Sequence, residues 1–204
     1  MKEFKLFGGQ IIEDVGQYAR DYIKENCVDH SEIIVYIGTD SKQLRKHTMY
    51  ATAIAFYHVG KGAHIIFNRT KIPKVKDLFT RLYNEVEMTR RAAEGLNKDL
   101  VGNYYFRWTK DNIWVEIGGV KADRLREIDK KEGTDKLGEL VAKYNLDLAH
   151  QKLITCDLDL NPSKMFKSNM VHDAGIGALK GSGFRVRTKP NAWCATCAAD
   201  LLCK

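Results

Sequence analysis

Ile33-Ile34-Val35-Tyr36-Ile37 is a run of five apolar, mostly β-branched residues that leads straight into Gly38-Thr39-Asp40-Ser41-Lys42. Such a run reads as a buried strand at the centre of a sheet, expected here over 33–38. Asp40 then falls just past the strand end, where the rim of a sheet is exposed. A carboxylate in that place has two uses. It caps a turn through its own backbone, or it ligates a hard divalent cation. The strand alone does not choose between them.

The remaining elements follow in order. Ile12, Val15, Ala19, Tyr22 and Ile23 recur at helical spacing and predict a helix over 11–26. Strands are expected over 50–57 and 63–70, separated by a turn containing Gly60 and Gly62. With the strand at 33–38 they form an antiparallel meander. A helix over 75–96 follows, with Leu78, Leu82, Val86, Thr89, Ala93 and Leu96 on one face. Glu85 lies about 60° from the centre of that face, so it points toward the sheet and needs a partner, whereas Glu87 faces solvent.

Residues 101–151 read differently, with nine basic and nine acidic side chains in balance. Two short strands or an extended excursion, around Tyr104–Trp108 and Ile113–Ile117, precede polar helical stretches near 120–131 and 134–146. This segment is expected to be an insertion, its aromatic residues forming a satellite core or a surface for stacking bases. A fourth strand lies within 152–162, a helix within 164–179, a fifth strand over 184–187 and a last helix over 192–202. Asp157 and Asp159, two residues apart, leave the fourth strand on one face. Two like charges at ~4 Å repel by about 4 kcal/mol at an effective dielectric of 20. Either a cation flanks them or one turns into solvent. Asp200, among alanines and cysteines in the last helix, also calls for a partner.

Charge distribution says more than its total of +7. Residues 42–81 carry nine basic and one acidic side chain, and residues 161–190 carry six and one. Residues 1–41 are net negative, with four basic and eight acidic side chains. Two separate basic segments fit a surface for a polyanion. A chain of 204 residues, 44% hydrophobic and 29% charged, is expected to be one soluble domain spanning 1–204. No run approaches the ~18 apolar residues of a membrane span, and the N-terminus is too mixed for a signal peptide. Five cysteines, an odd number, argue against a disulfide framework, and the expected compartment is the cytoplasm.

Strand, strand, strand, helix, strand, helix, strand, helix is the order of the ribonuclease H fold. The expected class is therefore α/β, a ribonuclease H-like mixed five-stranded sheet with flanking helices plus the insertion 101–151. Strands one and four are then parallel neighbours whose ends bring carboxylates together. An acid cluster of this kind suits oxygen-ligated Mg²⁺ or Mn²⁺. Ile37-Gly38-Thr39-Asp40-Ser41-Lys42, Asp159-Leu160-Asn161-Pro162, Lys167-Ser168-Asn169, Lys189-Pro190-Asn191-Ala192-Trp193 and Ala199-Asp200 resemble the YkuK-type ribonuclease H-like family of bacteria and phages. The resemblance covers roughly 33–95 and 152–202 and leaves 101–151 unmatched. It implies the fold and a metal-dependent nuclease, and it assigns Asp40, Asp159 and Asp200 to a metal site. Glu85 and Asp157 join that set from the pattern above.

The expected chemistry is phosphodiester hydrolysis with two ions about 4 Å apart, Asp40 bridging them. The substrate is RNA, DNA or a hybrid. Lys42, Arg45 and Lys46 from one basic segment, and Lys164, Lys167, Arg185, Arg187 and Lys189 from the other, are expected to hold its phosphates. Two alternatives stay open: a non-catalytic nucleic-acid-binding or scaffold protein on the same fold, and a junction resolvase or other DNA nuclease. Cys194-Ala195-Thr196-Cys197 lacks the second ligand pair of a zinc site and reads as small helical residues. His172-Asp173 reads as a helix-surface pair or a general base. Gly175 and Gly177 do not form a phosphate loop.

Overall fold

The computed structural model describes residues 3–26, 33–58, 60–100, 104–109, 112–117 and 154–203. The Ile33 run forms strand β3, which spans Ile33–Gln43. It is longer than the apolar run because it stays paired with β4 (His47–His58) through Asp40↔Ala51 as far as Gln43↔Thr48. Asp40 is therefore a strand residue, and its turn-capping role falls away. β5 (Gly62–Pro73) completes the antiparallel meander. β8 (Ile154–Leu158) runs parallel to β3, and β9 (Arg185–Arg187) runs parallel to β8.

The five expected strands are all present, and two more extend the sheet. β1 (Phe4–Lys5) and β2 (Ile11–Ile12) form a small hairpin at the edge of β5, so the order is β2-β1-β5-β4-β3-β8-β9. Each is too short for strand periodicity to show in sequence. The hairpin also takes Ile11 and Ile12 out of the expected helix 11–26. Helix α1 spans Val15–Asn26 and starts where the Asp14 carboxylate accepts the Gln17 amide at 2.8 Å. Asp77 does the same for α2 (Leu78–Leu100), accepting the Thr80 amide at 2.7 Å. Helix α3 spans Asn169–Gly181. The chain then makes a π-helical turn, Cys194–Ala199, that runs into a short helix α4, Asp200–Leu202. In the 101–151 segment, the first two stretches are strands, β6 (Tyr104–Thr109) and β7 (Asn112–Ile117), which pair antiparallel. The helices expected near 120–131 and 134–146 lie outside the described residues.

Residue size separates the two sheet faces. Val35, Ile37, Ile54, Phe56 and Ile66 form one core with Val15, Ala19 and Ile23 of α1, with Leu82, Val86 and Leu96 of α2, and with Val171 and Leu179 of α3. The alternate residues of β4, Ala51, Ala53 and Ala55, pack with Tyr36 against Cys194, Ala198, Ala199 and Leu202. Small side chains let the C-terminal turn lie close to the sheet. Closest of all is Gly38, where a Cβ would stand 2.6 Å from the Ala195 backbone nitrogen. The glycine of the Gly-Thr-Asp motif is thus a packing requirement.

Candidate metal centre and nucleic-acid interface

The site is built on the C-terminal rim of β3 and β8. Side chains alternate along a strand, so Ser41 faces α2 while Asp40 shares the side of Tyr36 and Gly38. The Ser41 hydroxyl donates to Glu85 Oε1 on α2 at 2.5 Å. Glu85 is the partly inward glutamate of the helix pattern, and it is fully buried. Burial, and then the charge of Asp40, push its carboxyl well above the usual range, against the Ser41 hydrogen bond and Arg81. Asp40 is raised to about 6, chiefly by burial, with Asp159 and Asp200 adding and the Ser41 amide and Arg81 opposing. Asp159 and Asp200 therefore lie close enough to bear on Asp40, and Asp40 and Asp159 on Glu85. Cys203 closes the arrangement by donating its thiol to the Asp40 carbonyl at 3.0 Å, which ties the end of the C-terminal helix to β3. A π-helical turn leads directly into Asp200, a place where such turns often serve function.

Asp157 and Asp159 do leave β8 together, and each meets a basic side chain of the β9 region. The parallel register sets Asp157 opposite Arg187. Arg187 donates to both carboxylate oxygens of Asp157 at 2.8 and 2.7 Å, and the Cys194 amide donates to Oδ2 at 2.8 Å. The guanidinium also lies 3.9 Å from the centre of the Tyr36 ring. With both oxygens engaged and the side chain wholly buried, Asp157 joins β8, β9 and the C-terminal turn. Asp157, expected as a metal ligand, and Arg187, expected as a phosphate contact, thus engage each other in this structure. Two register steps on, Lys189 Nζ lies 2.5 Å from Asp159 Oδ1. The ammonium and the carboxylate form an ion pair.

Among the described residues, no three His, Cys, Asp or Glu side chains converge on one metal-sized point. The geometry gives the reason. Glu85 is held by Ser41 on one side of the sheet, Asp40 leaves on the other, and Asp159 is drawn to Lys189. The donor chemistry nonetheless fits a hard cation. It is all oxygen, and the carboxyls of Asp40 and Glu85 are raised, chiefly by burial with neighbouring acids adding.

Of the expected phosphate contacts, Lys42, Arg45, Lys46, Lys164, Lys167 and Arg185 are exposed. Arg81 was not among the expected site residues. Its signal was spacing, since it lies four residues before Glu85 and so shares that helix face. It also reaches the Ser41 carbonyl at 3.4 Å. None of the four described cysteines forms a disulfide. Cys194 is buried and Cys197 exposed, so the pair does not face one point. His172 is half-buried and bonds to its own neighbour Asp173 at 2.8 Å.

A family model described as ribonuclease H-like matches residues 12–204. The chain belongs to the ribonuclease H-like family. The match is to the YkuK-type family that the motifs resemble, and it runs through the 101–151 segment as well. No curated protein and no solved structure matches the chain. Membership of the ribonuclease H-like family implies a nuclease-like or nucleic-acid-related function and nucleic-acid binding. Among the described residues, no helix is long and apolar enough to cross a membrane.

Proposed function

We propose that the protein is a divalent-metal-dependent nuclease that hydrolyses phosphodiester bonds of RNA, DNA or a hybrid. The observation that carries this reading is the gathering of acids about Asp40 at one rim, where burial raises Asp40 to about 6 with Asp159 and Asp200 adding, and raises Glu85 with Asp40 adding. Asp40, Glu85 and Asp159 would hold one Mg²⁺ or Mn²⁺, and Asp40 with Asp200 a second. Bound there, the ions would supply a water of lowered pKa and positive charge for the leaving oxygen. Exposed Lys42, Arg45, Lys46, Lys164 and Lys167 would bind phosphates on the flanks of the rim. Ser41 orients Glu85, and Lys189 neutralises Asp159.

One observation favours a second reading, a nucleic-acid-binding protein without turnover. Lys189 already stands against Asp159, and among the described residues no three of the acids converge. Cleavage of labelled single-stranded RNA, single-stranded DNA, RNA–DNA hybrid, duplex DNA and a four-way junction separates the two. Each is run with Mg²⁺, Mn²⁺ or EDTA. The expected result is metal-dependent cutting of at least one substrate by the wild type and none by Asp40→Asn. Cutting by Asp40→Asn at the wild-type rate overturns the assignment. Salt-sensitive binding with no cutting anywhere supports the second reading.

A further inference from the structure

Four residues beyond Asp159 the chain enters a tight turn whose side chains face the wrong way for a core. Met165 is 92% exposed, Phe166 55% and Met170 54%. Clustered apolar exposure of this kind marks a surface that meets a partner. The turn is firmly built. The Phe166 amide donates to the Ser163 carbonyl at 3.1 Å, and the Asn169 amide to the Phe166 carbonyl at 3.0 Å. Asn161 binds it from below, accepting the Ser163 amide at 3.0 Å and donating its own amide to Ser168 Oγ at 3.1 Å. A ring presented on a stiff turn loses little freedom when something packs on it.

The flanks identify that partner. Lys164 and Lys167, which bracket Phe166 in the sequence, are both exposed. Positive charge beside an apolar ring suits a polyanion that carries flat apolar faces. A shallow open depression lined by Asn161, Pro162, Lys189, Pro190 and Thr196 adjoins the start of the turn. A duplex hides its base faces in the stack, whereas an unpaired base offers one to a ring.

We propose that the 163–169 turn is a stacking platform for an unpaired nucleobase, with Phe166 as the ring and Lys164 and Lys167 as its phosphate contacts. The proposal rests on the nuclease reading and adds to it that the strand beside the carboxylates is single. The test is binding, read by fluorescence anisotropy in EDTA so that nothing is cut. Short labelled single strands of RNA and DNA, and their duplexes, are titrated against wild type, Phe166→Ala, Phe166→Trp and Phe7→Ala. Phe7 is a control, 61% exposed but carried by the N-terminal hairpin at the far edge of the sheet.

Phe166→Ala is expected to weaken single-strand binding at least about fivefold and to leave duplex binding unchanged. Phe166→Trp is expected to restore it, and Phe7→Ala to have no effect. Lys164→Gln is expected to lower the slope of log affinity against log salt by about 1. Equal single-strand affinity for Phe166→Ala and wild type overturns the platform while leaving the nuclease reading in place. So does an equal loss for single strand and duplex. A wild type that binds no nucleic acid overturns both. Retention of the wild type on anionic lipid vesicles, abolished in Phe166→Ala without any change in single-strand affinity, overturns the platform in favour of a lipid surface.

Discussion

Asp40 and Ser41 leave β3 on opposite sides, and the consequence for Asp40 is a proton balance that can be measured. Its carboxyl moves from an ordinary 3.8 to about 6 on folding. Between those pH values the folded chain holds a proton that the unfolded chain has released. In EDTA, this group therefore makes stability fall as pH rises from about 4 to about 6, after which the loss is constant. A shift of about two units corresponds to about 3 kcal/mol at most. Asp40→Asn removes the charge, so it is expected to melt higher than wild type near pH 7.5 in EDTA and at the same temperature near pH 3. Melting curves that coincide across the range would show that the carboxyl is not raised. The acids themselves are legible in sequence because carboxylates are conspicuous at strand ends and on an apolar helix face. Their partners are not. Ser41, Arg81, Lys189 and Arg187 acquire roles only through strand register and helix phase, which bring residues far apart in the chain into contact.

Gly38 fixes how near the C-terminal π-helical turn can come to the sheet. A methyl group there would meet the Ala195 backbone nitrogen at 2.6 Å, and the obstacle is main chain that cannot rotate away. Gly38→Ala is expected to destabilise by about 1–3 kcal/mol or more. Gly177 gives the opposite sign. It lies within α3, and a methyl group added there would have no neighbour within 4 Å. Gly177→Ala is expected to stabilise by about 0.5–1 kcal/mol through helix propensity. Denaturant midpoints of the two variants test both, and a loss of stability in Gly177→Ala would contradict the open space beside it. The five long-range strands are readable from apolar runs and glycine turns. Sequence periodicity starts the first two helices three or four residues early, because the apolar pattern continues past Asp14 and Asp77, whose capping bonds set the true ends. The alanine face of β4 is visible as a pattern, but nothing in sequence alone says which helix lies on it.

Across the whole molecule, the parallel pairing of β3 and β8 makes two distant basic segments leave the sheet at the same edge. Lys42–Lys46 follows Asp40, and the 163–169 turn follows Asp159. Sequence shows two separate concentrations of charge. Only the parallel pairing shows that they start from one rim. A cation bound among the acids of that rim would stabilise the folded state by RT ln(1 + [L]/Kd), about 2.7 kcal/mol at a hundredfold excess over Kd. Thermal melting with Mn²⁺ is expected to show a rise for wild type and none for Asp40→Asn. A rise of equal size in both would place the ion elsewhere.

The Asp157–Arg187 pair bears on how any survey of the basic side chains is interpreted. Arg187→Gln leaves a buried carboxylate without its partner, a change that typically costs about 3–5 kcal/mol. An assay that scores only lost binding would file Arg187 beside Lys164, although it faces inward onto Tyr36 and Asp157. The two kinds of residue separate when affinity is followed against salt and melting is followed in parallel. A true phosphate contact flattens the salt dependence and spares the melting temperature. Arg187→Gln is expected to lower the melting temperature and, in the fraction that stays folded, to keep the wild-type slope.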